Sequence, residues 1–359
     1  MAVAAHERAI AARAAGRFAP AERDCRRALR AYTVAEGGRH PDVANALVEL
    51  AAVLEARDRP RDAVRSLRRA LGILRAPTED LDLVRLRLQA RLALSGLDRL
   101  RGAYAAADRA AQAALAEARR RLPRRDPLIA ATLNNLGVLR KAEGRYAEAV
   151  AYYRRAAPLL PRGDRLARAT LEHNLGGIAH ARGRFAEAEP HARRAVALRA
   201  AAVGRRHPAW AADVAALAAV VESRGRFAEA ARLYRRSQAA FARALGAASL
   251  EYALGLAGLA AVEQQRGDRP GARALYRRAI PSLTRRLGRL HPDVALTVNN
   301  LAVLERDDGR LARAEALFRR AADSFGRTLG PRHPHLILAR HNLEAVTIDR
   351  LKRKTPTRR

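Results

Sequence analysis

Three kinds of side chain in this sequence suggest chemistry: ten histidines, a lone cysteine and a recurring pair of arginines. Histidine binds metals and moves protons near neutral pH. His173 and His180 stand seven residues apart in one helical pattern. That spacing is about 10 Å along a helix axis, too far for a shared ion, and no nearby acidic pair completes a set. Cys25 is the only cysteine, so neither an intramolecular disulfide nor a cysteine-built metal site can form. The chain contains no HExxH, no G-x-S-x-G and no GxxxxGK[ST], the arrangements that activate water, a serine or a phosphate. These observations predict no enzyme, no catalytic residue, no cofactor and no metal.

The arginines belong to an extreme charge balance. Lys+Arg number 69 against Asp+Glu 36, a net charge of +33 over 359 residues. Such a surplus suits a polyanion partner. Yet only Lys141, Lys352 and Lys354 are lysines, and selection for positive charge alone has no reason to exclude lysine. An Arg- and Ala-saturated sequence reads more naturally as the compositional bias of a GC-rich genome. Hydrophobic residues make up 49% and aromatics 4%, so the apolar content is largely alanine. Alanine brings little area to a distant partner and demands closely approaching helices. The start of the chain has no signal-peptide core, and no stretch approaches 18 uncharged apolar residues, so cytoplasm is the expected compartment.

The elements that position these side chains repeat. GRFAPAERDCRRAL begins at Gly16, GRYAEAVAYYRRAA at Gly144, GRFAEAEPHARRAV at Gly183 and GRFAEAARLYRRSQ at Gly225, with weaker copies at Asp58, Gly102, Gly267 and Gly309. The turn positions are therefore 16, 58, 102, 144, 183, 225, 267 and 309, spaced 42, 44, 42, 39, 42, 42 and 42 residues. Five residues after each turn stands an alanine: Ala21, Ala63, Ala107, Ala149, Ala188, Ala230, Ala272 and Ala314. Small residues also recur twelve after the turn and seven before it. Slots seven apart share one helical face, where a larger side chain would overpack a close helix contact. Each unit is thus a first helix, a tight turn and a second helix, and the fold class is an all-α solenoid of eight such hairpins.

Linkers repeat as well: GGRHPDV, RRDPLI, GRRHPAW, GRLHPDV and GPRHPHL. Their prolines fall on the first turn of the next helix, where the missing N–H is no loss. The preceding His40, His207, His291 and His333 are expected to serve structure rather than catalysis. In the 39-residue interval, Pro158 and Pro161 should stop the second helix early.

Together, ATLNNLGVLRKAEGRYAEAVAYYRRA (131–156) and HPDVALTVNNLAVLERDDGRLARAEALFRRA (291–321) resemble the tetratricopeptide repeat family. The similarity is to its long, roughly 42-residue form, found in kinesin light chains and many bacterial proteins, and spans about residues 2–350. It implies a right-handed superhelix and a single standalone array with turn positions as above. Glu344 in the small-residue slot, with no Gly turn after it, and the run KRKTPTRR predict a capping helix over 334–350 and a disordered basic tail over 352–359. The resemblance implies a non-enzymatic scaffold or adaptor holding an extended peptide or partner protein on the concave side, which first helices line in the family.

Family positions that face that side carry over to Asn134 and Asn135, His173 and Asn174, Asn299 and Asn300, and His341 and Asn342. A third inward position adds Arg99, Lys141, His180 and Arg306. Asparagine both donates to and accepts from a peptide backbone, which suits gripping an extended chain. The alternative is nucleic-acid or other polyanion binding through a ridge on the second helices. That ridge would consist of Arg26–Arg27, Arg68–Arg69, Arg154–Arg155, Arg193–Arg194, Arg235–Arg236, Arg277–Arg278 and Arg319–Arg320. No aromatics interleave with these pairs as single-strand binders require. Charges on the first and last helices, with the net charge, predict a monomer.

Overall fold

A computed structural model describes residues 1–329 and 333–354. Among the described residues every regular element is helical. The chain forms two compact units, Met1–His207 and Pro208–Arg359. The repeat pattern alone predicts one array over 2–350. The repeat could not reveal the boundary, because the spacing from Gly183 to Gly225 is the same 42 residues found elsewhere.

Unit 1 holds five helical hairpins. They are α1 (Ala2–Ala14) with α2 (Phe18–Glu36), α3 (Pro41–Ala56) with α4 (Pro60–Ile73), α5 (Leu81–Leu100) with α6 (Tyr104–Arg121), α7 (Pro127–Ala142) with α8 (Tyr146–Ala156), and α9 (Arg165–Ala181) with α10 (Phe185–Val203). Unit 2 pairs α11 (Pro208–Ser223) with α12 (Phe227–Leu245), α13 (Leu250–Gln265) with α14 (Arg269–Leu287), and α15 (Pro292–Asp307) with α16 (Leu311–Thr328). A last helix, α17 (Pro334–Lys354), packs on α16. Within each unit, consecutive first helices also touch, as α3 does α5 and α13 does α15.

The small-residue slots are where the helices meet. All eight alanines five residues after the turn are fully buried, at 0% exposure. Ser95 and Ser237 occupy two other small slots, and their hydroxyls donate to the Ala107 and Ala211 carbonyls, both at 2.8 Å. Their polarity is thereby satisfied inside the contact.

The turn glycines adopt the left-handed conformation, and Asp58 does so in their place at φ 58°. The first helix closes with crossed backbone bonds, as in Arg145 N–H to Arg140 O at 2.8 Å and Gly144 N–H to Lys141 O at 3.0 Å. This is the Schellman arrangement, which uses otherwise orphaned carbonyls. At the other end, the linker histidines cap. His40 Nδ1 accepts from Asp42 N–H at 3.3 Å, His291 Nδ1 from Asp293 N–H at 3.2 Å, and His333 Nδ1 from His335 N–H at 3.2 Å. An imidazole nitrogen therefore does the work usually given to Ser, Thr, Asp or Asn.

As expected from its prolines, α8 stops at Ala156, and a single 3-10 turn (Ala157–Leu159) carries the chain on. The last helix departs from expectation. It runs through Lys354, so 352–354 are helical, while the remainder of the expected tail, 355–359, lies outside the described residues. Burial of Leu336, Ala339 and Val346 anchors α17, and Arg350 Nη1 ties it to Glu315 Oε2 at 2.6 Å. No proline interrupts the sequence before Pro356, and basic residues suit the negative end of a helix dipole.

Candidate functional site

The face shared by consecutive first helices in unit 1 brings together most of the residues singled out above. Asn134, Asn135 and Lys141 on α7, Arg99 on α5, and His173 and His180 on α9 are all half-buried, and Asn174 is buried. Asn174 Nδ2 donates to Asn134 Oδ1 at 2.8 Å. These two amides are thus spent partly on each other and tie α9 to α7, whereas Asn135 lies one position along. His180 packs its ring against Phe185, centroids 5.3 Å apart.

Lys141 is the most unusual cation of the face. Burial, followed by the positive charge of Arg99, pushes its pKa down from the ordinary lysine value. It lies over Gly177 of α9, where a Cβ would collide with its ammonium. On α3, Glu55 is pushed the other way, its carboxyl raised by burial despite the opposing pull of Arg99. The charge of Arg99 is therefore felt both by the exposed Glu55 and by the half-buried Lys141.

Unit 2 presents a sparser version. Asn299 is buried with its Oδ1 unpaired among the described residues, and Asn300 is half-buried beside the Tyr276 hydroxyl. Arg306 reaches Asp307 at 3.3 Å. His341 is exposed on α17 and Asn342 is buried.

One set of residues was not foreseen. Nine residues after the turn stand Tyr153, Tyr234 and Tyr276, and the hydroxyls of the last two reach back to the first helix of their hairpin. Tyr234 donates to Glu222 Oε2 at 3.0 Å and Tyr276 to Gln264 Oε1 at 3.3 Å. Burial raises the Glu222 carboxyl, against the lowering effect of the Tyr234 hydrogen bond. The Tyr153 ring packs where a Cβ on Gly137 would come within 2.7 Å of its Cδ1, and its hydroxyl is buried without a partner among the described residues. The signal was present in the sequence as a tyrosine recurring at a fixed distance from the turn.

The arginine pairs stand on exposed positions of the second helices, except Arg320, which is half-buried. Many are engaged at their head groups. Arg26 meets Glu22 at 2.9 Å, Arg193 meets Glu189 at 2.8 Å, Arg194 meets Glu172 at 3.0 Å, and Arg319 meets Glu315 at 2.6 Å. Arg235 pairs with Glu263 of the next hairpin. Arg155 and Arg236 lie over the rings of Tyr152 and Trp210, each 5.5 Å from the centroid. The buried glutamates act as hubs. Glu22 also takes Arg57 and Arg59, so one carboxylate joins α2 to the following hairpin. Burial alone would raise the Glu22 pKa, but the hydrogen bond from Arg26 and the charges of Arg57 and Arg59 outweigh it and leave it lowered.

The lone Cys25 is buried, and burial pushes its thiol up to about 12, which removes it as a nucleophile at neutral pH. Among the described residues no three His, Cys, Asp or Glu side chains gather as a metal set, and no helix is long and apolar enough to cross a membrane.

Sequence models of the tetratricopeptide repeat match residues 1–76, residues 132–166, and residues 169–209, 255–293 and 294–335. No curated protein matches the chain by sequence. A crystal structure of a Rap protein complexed with Competence and Sporulation Factor aligns over 98% of both chains at 13% identity, with a TM-score of 0.61. A signal transduction ATPase with numerous domains and a tetratricopeptide repeat sensor, from Pyrococcus horikoshii, also aligns at 13% identity and a TM-score of 0.61. The alignment covers 92% of this chain and 50% of that one. Kinesin light chain repeats from Podosopora anserina align at 21% identity over 57% of this chain and 98% of theirs, with a TM-score of 0.46. Paired helices, buried small-residue slots, left-handed turns and matching repeat models agree, and the chain belongs to the tetratricopeptide repeat proteins.

Proposed function

We propose that the chain is a non-enzymatic scaffold that holds an extended segment of another protein against the inner face of its first helices. The observation that carries this reading is the half-buried polar set Arg99, Asn135 and Lys141 on adjacent first helices of unit 1. Half-buried polar groups on a rigid face gain from a partner that excludes the remaining water and completes their hydrogen bonds. The similar Rap protein is complexed with Competence and Sporulation Factor, which is consistent with a solenoid of this fold holding a partner. The roughly 42-residue spacing supports the long type of repeat, and on this reading the chain is bacterial and acts in the cytoplasm as a monomer.

The test is positional photocrosslinking with an oriented library of labelled dodecapeptides. A photoreactive residue at position 135 is expected to capture peptide, and one at position 155 to capture none. Equal capture at both would overturn the reading.

A second reading, polyanion binding along the second helices, is favoured by the exposure of the arginine pairs. It predicts affinity falling steeply between 0.15 and 0.5 M salt and loss on neutralising Arg154 and Arg155, with indifference to Asn135. The Glu and aromatic partners of these arginines weigh against it, since a phosphate would have to displace them.

A further inference from the structure

The short interval between Gly144 and Gly183 leaves a space beside the shortened second helix. With α8 ending at Ala156 and α9 beginning at Arg165, a cavity of about 700 Å³ opens where α5, the first turns of α7 and α9, and Leu160 meet. Its size falls within the range of about 300–1,000 Å³ typical of small-molecule pockets. An engineered cavity of about 150 Å³ already holds benzene.

The chemistry of the wall limits what fits. Leu128, Leu160 and Leu171 supply apolar surface, and Leu166 stands at the lining with 46% of its surface exposed. Apart from the exposed Gln89, the polar side chains along the wall each have at least one partner, Asn134 accepting from Asn174 at 2.8 Å. Asp126 accepts from Leu128 N–H at 3.0 Å and from Arg85 at 3.1 Å. Asp164 accepts from Ala167 N–H at 2.9 Å. The Thr170 hydroxyl donates to Leu166 O and accepts from Arg199, both at 3.1 Å. A charged ligand would give up water and find these groups engaged, which is costly. A hydrocarbon loses nothing and covers Leu166.

We propose that this cavity binds an uncharged, apolar small molecule of the size of a fused-ring aromatic or a medium-length alkyl chain. The proposal does not rest on peptide holding, although Asn134 of the inner face also lines this space. A ligand there contacts three first helices at once and ties the hairpins of α5, α7 and α9 together.

The neutral fluorophore N-phenyl-1-naphthylamine, titrated into the full chain, tests this. Saturable one-to-one binding is expected, with displacement by decanol about tenfold more effective than by decanoate. Ala131 and Ala167 line the cavity and are not fully buried, so Ala131→Phe and Ala167→Leu fill it from positions that tolerate bulk. Each is expected to weaken the fluorophore about tenfold or more while leaving the helical circular dichroism unchanged. Absence of saturable binding, or wild-type affinity in both folded variants, would overturn the site. Decanoate matching decanol would overturn the uncharged class of ligand.

Discussion

The side chain of Asn174 donates to that of Asn134 across forty positions of sequence, at 2.8 Å. This bond separates two roles that the sequence assigned jointly to the asparagines. Asn174→Ala removes a donor from a partly buried pair and should destabilise unit 1 by about 1 kcal/mol. Asn135→Ala should leave the thermal midpoint almost unmoved and weaken a retained peptide several-fold. Thermal melts and peptide anisotropy on the two variants check this together.

Lys141 should trade stability against holding. Burial disfavours its ammonium form, so its lowered pKa means that protonation opposes folding at all pH values below the ordinary lysine range. Lys141→Gln is expected to raise the thermal midpoint at pH 7 and weaken peptide retention. An unchanged midpoint with unchanged retention would remove Lys141 from the site.

Two glutamates should respond to acid in opposite senses. The lowered pKa of Glu22 contributes stability above the ordinary carboxylate range and loses it as pH falls through the folded value. The raised pKa of Glu222 favours folding when protonated, and that contribution is lost as pH rises through the folded value. Glu22→Gln should therefore destabilise at pH 7 by about 1–2 kcal/mol, because its arginine partners are partly exposed, and the gap should close toward acid. Glu222→Gln keeps an acceptor for Tyr234 and should melt at or above wild type at pH 7, with the gain shrinking toward pH 4.

The turn at Asp58 suggests a graded substitution elsewhere. Gly225 has φ +74°, and a Cβ there meets nothing within 4 Å. Only backbone strain opposes a side chain, so Gly225→Ala should cost about 1 kcal/mol. Gly225→Asp should cost less, because aspartate bonds locally in the left-handed region and already does this task at position 58. Urea denaturation of the two variants gives the order.

Gly137→Ala should be destabilising for a different reason. Its Cβ would meet the Tyr153 ring, an overpacking of about 1–3 kcal/mol. Tyr153→Leu should restore most of that loss, since Leu67 fills the equivalent slot beside Ala51 in the second hairpin. A double-mutant cycle with no coupling would separate the two residues.

What the sequence made legible follows from what repeats. Ala21 and its seven counterparts report a buried face because the same constraint acts eight times, and the HP linkers report helix starts for the same reason. Properties that arise once, or between repeats, were hidden. The bond from Asn174 to Asn134 depends on rotamers, and the division after His207 leaves the spacing untouched. Pro158 and Pro161 announced a short helix, but not the volume it leaves. The tyrosines are legible as a residue recurring nine positions after the turn, whereas the reach of their hydroxyls depends on the packing of the two helices.

The glutamate hubs have a mechanical consequence within each unit. Arg59 to Glu22, Arg140 to Asp108 and Arg350 to Glu315 cross from one hairpin to the next element at 2.6–2.7 Å. Each is a tether with one end buried and the other accessible to dissolved ions, so its tension depends on the medium. The alanine contacts beside them are short-ranged and indifferent to salt. The material is therefore a stiff laminate with ion-sensitive stitching, whose compliance rises with ionic strength while its layers stay intact.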